Sequence, residues 1–191
     1  MELIFATGNK HKLAEAQLIL GASLPELKLL PHDGPEPVEN GVSFLENAAI
    51  KARAAFQATG QASFADDSGI SVEVMGGAPG IFSAIWAGGR DDAVNRQLLL
   101  DQLKDIPAKD RTASFICTIA LVEESGETFF TGVWPGSIAM AAAGSAGFGY
   151  DPVFIPDGFE VTAAELEPEV KSSYSHRATA MNQMAGFLAS R

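Results

Sequence analysis

The apolar residues near the start of the chain form one short run and then a longer pattern with helical spacing. The run at residues 3–6 predicts a buried strand, and apolar positions recurring every three or four residues predict a helix from about residue 10 to residue 20. Thr, Gly and Asn at residues 7–9 separate the two. The chain is therefore expected to begin with a strand, a tight loop and a helix.

The next segment has the signature of a strand, a loop and a second helix. LKLL at residues 27–30 predicts a strand, and PHDGPEPVENG at residues 31–41 predicts a loop rich in proline and glycine. Ser43 followed three residues later by Glu46 is a capping box, which places a helix N-terminus there. The alanine-rich sequence that follows continues this helix.

Two adjacent aspartates end the next predicted strand, which covers residues 61–66. SVEV at residues 71–74 predicts the strand after it. Adjacent carboxylates repel each other, and a bound cation would offset the repulsion between Asp66 and Asp67. The sequence Asp-Asp-Ser-Gly is equally suited to a simple turn, and these residues alone leave both interpretations open.

The second half of the chain combines a hairpin with two more helices. Helices are predicted at residues 91–103 and at about 175–189, and a long antiparallel hairpin is predicted from residues 112–124 and 127–141. A glycine-rich loop follows the hairpin, and Lys171 lies in a predicted polar loop. Because strands and helices alternate early and a hairpin follows, the expected fold is α/β with a mixed sheet, in a single domain over residues 1–191.

Composition narrows the class of protein. The 191 residues include 47% hydrophobic and 19% charged residues, and the apolar runs are no longer than strands, which predicts a globular chain without a transmembrane helix. Basic residues follow the first apolar run instead of preceding it, the reverse of a secretory signal. The lone Cys117 lies in an apolar run and is expected to be a buried thiol, so a cytoplasmic location is predicted.

The charge of the chain argues against a polymeric nucleic-acid partner. The net charge of −11 repels phosphate backbones, so a phosphate-bearing ligand would require a local basic site and a metal. The loop before the first helix offers backbone amides, two lysines and the positive end of a helix dipole, although it lacks the spacing of a Walker loop. Lys51, Lys171 and the pair His176-Arg177 supply further positive charge.

Five stretches together resemble the inosine triphosphate pyrophosphatase family, whose members hydrolyse non-standard purine nucleoside triphosphates such as ITP, dITP and XTP to the monophosphate and pyrophosphate. They are ATGNKHK, ENGVSFLENAAIKA, FADDSGISVEVMGGAPGIFSA, AGFGYDPVF and KSSYSHRATA. They occur in the family's order and at about its spacing, and the resemblance covers nearly the whole chain.

The resemblance implies a Mg²⁺-dependent enzyme that is a homodimer, with an elongated mixed β-sheet, flanking helices and two lobes around a central nucleotide cleft. It places the metal ligands at Glu39 and Asp67, and it makes Asp67 the general base as well. One or two carboxylates plus substrate phosphates suit Mg²⁺. Asp66 is then expected either to support this pair or to belong only to the turn.

The resemblance also implies a set of residues that bind the substrate. Ser68 matches a substrate contact. The triphosphate positions are Thr7, Gly8, Asn9, Lys10, His11, Lys12 and Lys51, with Lys12 rather than Lys10 matching the family lysine. The base-pocket loop corresponds to Phe148, Gly149, Tyr150 and Asp151, and the remaining nucleotide contacts correspond to Lys171, His176 and Arg177.

One departure from the family pattern and two alternatives remain. Family members often have Tyr-Ser-Ala-Arg after GAPG, whereas this chain has Phe82-Ser83-Ala84-Ile85, so any contact of that arginine is in doubt. One alternative is a hydrolase of another modified nucleotide class, and the other is a protein that binds nucleotides without turnover. The presence of both Glu39 and Asp67 argues against the second alternative. The preference among ITP, dITP and XTP stays open.

Overall fold

A computed structural model describes residues 1–32 and 34–191, and these residues form an α/β structure around one mixed sheet. The strand order is β2-β1-β3-β4-β5-β6. The strands are β1 Glu2–Phe5, β2 Lys28–Pro31, β3 Ser63–Val72, β4 Thr112–Glu123, β5 Gly126–Ile138 and β6 Phe154–Pro156. Strand β1 is parallel to β2 and β3, and β5 is antiparallel to β6, so the prediction of a mixed sheet is confirmed.

Capping side chains precede the first three helices of the chain. The helices are α1 Lys10–Ser23, α2 Phe44–Thr59, α3 Asp92–Leu103, α4 Pro168–Tyr174 and α5 His176–Ala189. The side chains of Asn9, Ser43 and Asp91 accept hydrogen bonds from the first amides of α1, α2 and α3, which would otherwise lack partners. Short 3₁₀ turns cover Glu73–Met75, Gly80–Ile85, Ala108–Asp110 and Asp151–Val153.

Strand β3 corrects the sequence-based expectation for the paired aspartates. Residues 61–66 and 71–74 were expected to form two strands, but Ser63–Val72 is one continuous strand, and both aspartates lie inside it. The alternative of a simple Asp-Asp-Ser-Gly turn is therefore wrong. Tertiary contacts override the low strand propensity of aspartate here, because cations from three helices lie within 4 Å of the two carboxylates.

Three local expectations also need correction. Lys171 lies in helix α4 and not in a loop, since Pro168 occupies the first position of that helix, where its fixed backbone angle is favourable. The carboxylate of Glu46 accepts a hydrogen bond from the amide of Val42 (2.9 Å) instead of closing the expected capping box on Ser43. Part of the predicted loop at residues 31–41 belongs to β2, and Asp33 in that loop lies outside the described residues.

The described residues divide into two compact units. Unit 1 comprises Met1–Asp67, Cys117–Gly132 and His176–Arg191, and unit 2 comprises Ser68–Ile116 and Val133–Ser175. Strands β3, β4 and β5 contribute residues to both units. That the whole chain is a single domain stays a prediction.

The core of unit 1 has two layers, one on each face of its strands. Successive residues of β1 and β3 alternate between them: Leu3 and Phe64 pack with α1 and α5, whereas Ile4 and Ala65 pack with the alanines of α2. In unit 2 a separate core surrounds Phe154, whose ring lies 4.7 Å from that of Phe115 in an edge-to-face contact. This alternation determines which helices each aspartate of β3 meets.

Among the described residues, none of the helices combines the length and the hydropathy that crossing a membrane would require.

Candidate functional site

Asp66 faces the α1 and α5 side of the sheet in unit 1. It follows Ala65, which faces α2, so the strand alternation directs Asp66 to the opposite layer. Its Oδ2 lies 2.9 Å from the Lys12 ammonium and accepts a hydrogen bond from Arg177 Nε at 3.3 Å. The Cys117 thiol also donates to this oxygen at 3.7 Å. Asp66 therefore joins β3 to a lysine of α1 and an arginine of α5.

The Asp66 cluster is a buried network of compensated charge. Burial would raise the pKa of Asp66, but the positive charges of Lys12, Arg177 and Lys51 outweigh it and hold the pKa well below its ordinary value. Burial would lower the pKa of Arg177, whereas Asp66 and Glu15 raise it, so the guanidinium stays charged. The other oxygen of Asp66, Oδ1, is buried without a hydrogen-bond partner among the described residues.

Asp67 faces the opposite layer and meets α2. Its Oδ2 accepts a hydrogen bond from Asn47 Nδ2 at 3.2 Å, and its Oδ1 lies 3.7 Å from Lys51 Nζ. The same ammonium lies 3.1 Å from Glu39 Oε2. Asn47 and Lys51 are four residues apart on α2 and so share one face of that helix. Lys51 thus brings together the two carboxylates that the sequence predicts as metal ligands.

The environment of Asp67 makes it more basic than an ordinary carboxylate. Burial raises the pKa of Asp67, and the positive charges of Lys51 and Lys12, together with the hydrogen bond from Asn47, offset only part of that rise. The pKa values of the two neighbouring aspartates therefore shift in opposite directions. A carboxylate with a raised pKa holds a proton more readily once it has accepted one from water, which suits a general base.

The pair Glu39 and Asp67 fits the donor chemistry that Mg²⁺ requires. Carboxylate oxygens of both residues lie within 4 Å of the Lys51 ammonium, so the two carboxylates already compensate one positive charge. Within residues 1–32 and 34–191 there is no group of three or more His, Cys, Asp or Glu side chains arranged to hold a metal ion by themselves. A two-carboxylate site needs ligands from a substrate and from water.

The loop before α1 is ordered by its own side chains. Thr7 Oγ1 accepts from the amide of Asn9 at 3.1 Å, and Asn9 Oδ1 accepts from the amides of His11 at 2.9 Å and Lys12 at 3.2 Å. A side chain at Gly8 would overlap the Glu36 carboxylate, which shows how closely the following loop approaches. An anion at this helix N-terminus would have to share these amides with Asn9.

The predicted base-pocket loop belongs to unit 2 and is closed by a buried ion pair. Asp151 Oδ2 accepts from the Phe148 amide at 2.8 Å and lies 2.7 Å from Lys171 Nζ. The Lys171 ammonium also lies 5.1 Å from the centre of the Phe148 ring. The Tyr150 hydroxyl donates to the Ser83 carbonyl at 2.8 Å. Three of the predicted nucleotide contacts, Phe148, Asp151 and Lys171, therefore form one connected group, and Tyr150 is held separately by Ser83.

The remaining predicted residues have different surroundings. Lys10 and His11 are exposed on the first turn of α1, and Ser68 is the residue of β3 where unit 2 begins. His176 is buried at the start of α5. The guanidinium of Arg177 is engaged by Asp66 and Glu15, so its contact with a nucleotide stays a prediction. Ile85, at the family's arginine position, is 45% exposed.

Sequence reasoning missed four residues that hold the predicted ones in place. Asn47 and Glu15 bind Asp67 and Arg177 in unit 1, and Asp92 and Arg96 bind the base-pocket loop in unit 2. The spacing of four residues between Asp92 and Arg96 is a signal of a shared helix face. It does not show what that face contacts, because the partner is 53 residues away from Arg96.

Comparisons with known proteins give a consistent result over the whole chain. The model of the Ham1 family matches residues 3–187. A relative from Leifsonia xyli subsp. xyli, named dITP/XTP pyrophosphatase, is 57% identical over 182 residues, which cover 94% of this chain and 92% of the relative. The structure of a HAM1 protein from Coxiella burnetii aligns with a TM-score of 0.91 at 40% identity, covering 100% of both chains. The structure of a nucleoside-triphosphatase / dITP/XTP pyrophosphatase from Mycobacterium abscessus aligns with a TM-score of 0.78 at 44% identity, covering 98% of this chain and 100% of that one.

Proposed function

The chain belongs to the Ham1 family, and on that premise we propose that it is a pyrophosphatase that removes non-standard purine nucleotides from the nucleotide pool. The proposed reaction converts ITP, dITP and XTP to the monophosphate and pyrophosphate. The relatives named dITP/XTP pyrophosphatase support the substrate class. The observation that carries the proposal is Asp67, a largely buried carboxylate that accepts a hydrogen bond from Asn47 and shares the Lys51 ammonium with Glu39.

Asp67 is the proposed general base. Water cleaves the bond between the α- and β-phosphates, and Asp67 accepts the proton that the attacking water loses. The geometry supports this role, because the hydrogen bond from Asn47 and the nearby Lys51 ammonium fix the orientation of the carboxylate. Hydrolysis of a phosphoanhydride depends chiefly on such positioning and on neutralising phosphate oxygens.

We propose that Glu39 and Asp67 hold Mg²⁺ and that basic residues of unit 1 bind the triphosphate. When bound, Mg²⁺ supplies charge neutralisation at the phosphate oxygens. Lys51 adds a fixed positive charge beside both carboxylates, and residues 7–12 contribute Lys12 together with the amides at the start of α1. Enzymes of this kind keep such charges in place before the substrate arrives.

We propose that the base-pocket loop of unit 2 recognises the purine. The Phe148 ring offers a stacking surface, and the Asp151–Lys171 pair offers both charges beside it. Inosine and xanthine present a keto oxygen beside an N–H donor, whereas adenine presents the reverse pattern, which would leave a buried polar group unpaired. We expect ITP and XTP to exceed ATP by at least about tenfold in kcat/KM, equivalent to about 1.4 kcal/mol.

Two broader proposals concern assembly and location. We propose a homodimer, as the family resemblance implies, which light scattering coupled to size-exclusion chromatography would test. We also propose a cytoplasmic location, which the single, fully buried cysteine thiol supports because it needs no oxidising compartment.

The decisive experiment measures pyrophosphate release from ITP with Mg²⁺ in the wild type and in Asp67→Asn. The amide is nearly isosteric but cannot accept the proton, so we expect turnover to fall by at least about 100-fold while the fold is kept. Asp157→Asn is the matched control, because Asp157 is exposed and the substitution is the same. Chelation of the metal should abolish activity.

Each result discriminates between specific alternatives. Nucleotide binding without any turnover in the wild type would favour a binding protein over an enzyme. Turnover of modified pyrimidine triphosphates in preference to ITP would retain the chemistry and reject the substrate class. If Asp67→Asn keeps activity within a few-fold of the wild type, Asp67 is not the base.

A further inference from the structure

We propose that Asp92 and Arg96 of helix α3 are positioning residues that set the preference between purine bases. They hold residues 147–151, which comprise the base-pocket loop and the glycine before it and are called the base loop below. The inference rests on the proposed function, because it assigns to these two residues the selectivity of the proposed pyrophosphatase. Neither residue is among the predicted substrate contacts. They act through the backbone of Gly149.

The contact consists of two hydrogen bonds from one face of one helix. The Gly149 amide donates to Asp92 Oδ2 at 2.7 Å, and Arg96 Nη1 donates to the Gly149 carbonyl oxygen at 2.6 Å. Asp92 and Arg96 are four residues apart in α3 and so lie on the same face. The amide and the carbonyl of Gly149 belong to two successive peptide groups, so the pair fixes the orientation of the backbone on both sides of this residue.

The base loop has the kind of backbone that needs external support. Gly147 and Gly149 have φ values of 75° and 58°, in the left-handed region, and glycine has the greatest freedom to leave such a conformation. Phe148 lies between them. Its amide is held by Asp151, and the next amide along the chain is held by Asp92. Two carboxylates from different parts of unit 2 therefore take consecutive amides and determine where the Phe148 ring is presented.

Helix α3 is itself firmly anchored and can serve as the reference point. Leu99 and Leu103 are fully buried in the core of unit 2. The buried guanidinium of Arg111 donates to the carbonyl of Leu103, the last residue of the helix, at 2.6 Å, and to the carbonyl of Ile106 just beyond it at 2.9 Å. A loop that is hydrogen-bonded to this helix is therefore held in a fixed position relative to the core of unit 2.

Because the hydrogen bonds of Asp92 and Arg96 to Gly149 are not deeply buried, a positioning role can be distinguished from a role in folding. The hydrogen bond of Asp92 is exposed and that of Arg96 is partly buried, so their loss should leave the unit folded. It should instead allow the base loop to sample other backbone conformations. This would weaken the preference for ITP over ATP more than it weakens binding of the triphosphate. A purely structural role would lower stability without changing the ratio between substrates.

The experiment compares Asp92→Ala and Arg96→Ala with the wild type by two readouts. Hydrogen exchange of the backbone across residues 147–151 should accelerate by at least about tenfold in both variants. The ratio of kcat/KM for ITP to that for ATP should fall by at least about fivefold, equivalent to about 1 kcal/mol. Asp92→Asn should restore most of both, because the amide oxygen still accepts from Gly149.

Asp101→Ala is the matched control. Asp101 is exposed on the same helix, its side chain bonds only to Gln97 of that helix among the described contacts, and its replacement removes the same charge. It should change neither readout. An unchanged exchange rate in Asp92→Ala and Arg96→Ala, or an unchanged substrate ratio despite faster exchange, would overturn the inference while a wild type that prefers ITP upholds the proposed function. A wild type that hydrolyses no purine triphosphate would overturn the proposed function and the selectivity role with it.

Discussion

Replacing Asp66 by asparagine should destabilise the protein strongly, although the side chain keeps its size. Asp66 is 2% exposed, and one of its oxygens contacts both the Lys12 ammonium and the Arg177 guanidinium. The substitution removes the negative charge and leaves these cations without it. Breaking a buried ion pair by removing one partner costs about 3–5 kcal/mol.

The structure places the expected loss near the lower end of that range. Arg177 keeps Glu15 as a partner, and the Lys12 side chain is 14% exposed and can gain some hydration. We therefore expect the free energy of unfolding to fall by about 3 kcal/mol. For a chain of this size the Tm should fall by roughly 6–12 °C.

Urea unfolding at neutral pH without added metal would measure this change, and a double-mutant cycle with Lys12→Met would test its cause. The double variant should be less destabilised than the sum of the single variants by at least about 1 kcal/mol, since it removes both charges together. Glu2→Gln is the control, because the Glu2–Lys28 pair at 3.3 Å is highly exposed and should contribute less than about 1 kcal/mol. A loss for Asp66→Asn no larger than that of the control, or strict additivity in the cycle, would refute the reasoning.

Two further predictions follow from buried groups. Burial, with a smaller effect of Asp66, raises the pKa of the Cys117 thiol, so native protein should resist alkylation at pH 8 and react fully once unfolded in guanidinium; rapid labelling of native protein would contradict this. Burial and the charge of Asp92 also raise the pKa of Tyr150, so its hydroxyl ionises at a lower pH in the unfolded state than in the folded state. The contribution of the neutral Tyr150 to folding stability is therefore complete below about pH 10 and is lost as the pH rises further. Tyr150→Phe, which loses the bond to Ser83, should be about 1 kcal/mol less stable at pH 8 and should lose less stability than the wild type between pH 9 and pH 11 in urea titrations. Equal pH slopes for the two proteins would argue against it.

Much of the fold could be predicted from local patterns because local rules govern those elements. The cap at Ser43 depends on a side chain that bonds to an amide three residues away, and the hairpin of β4 and β5 depends on a two-residue connection. The candidate site residues could be named because several short motifs occur together in order. Their roles remain proposals, to be decided by the experiments above.

Tertiary structure alone decided what the two aspartates of β3 do. The sequence shows Asp66 and Asp67 as neighbours with the same chemistry, and a simple turn was as consistent with them as a cation site. The pleat of a continuous strand sends them to opposite layers, where Asp66 meets Lys12 and Arg177 and Asp67 meets Asn47. Their pKa values therefore shift in opposite directions, because burial and charge act over a few ångströms between residues as far apart as 111 positions in the chain.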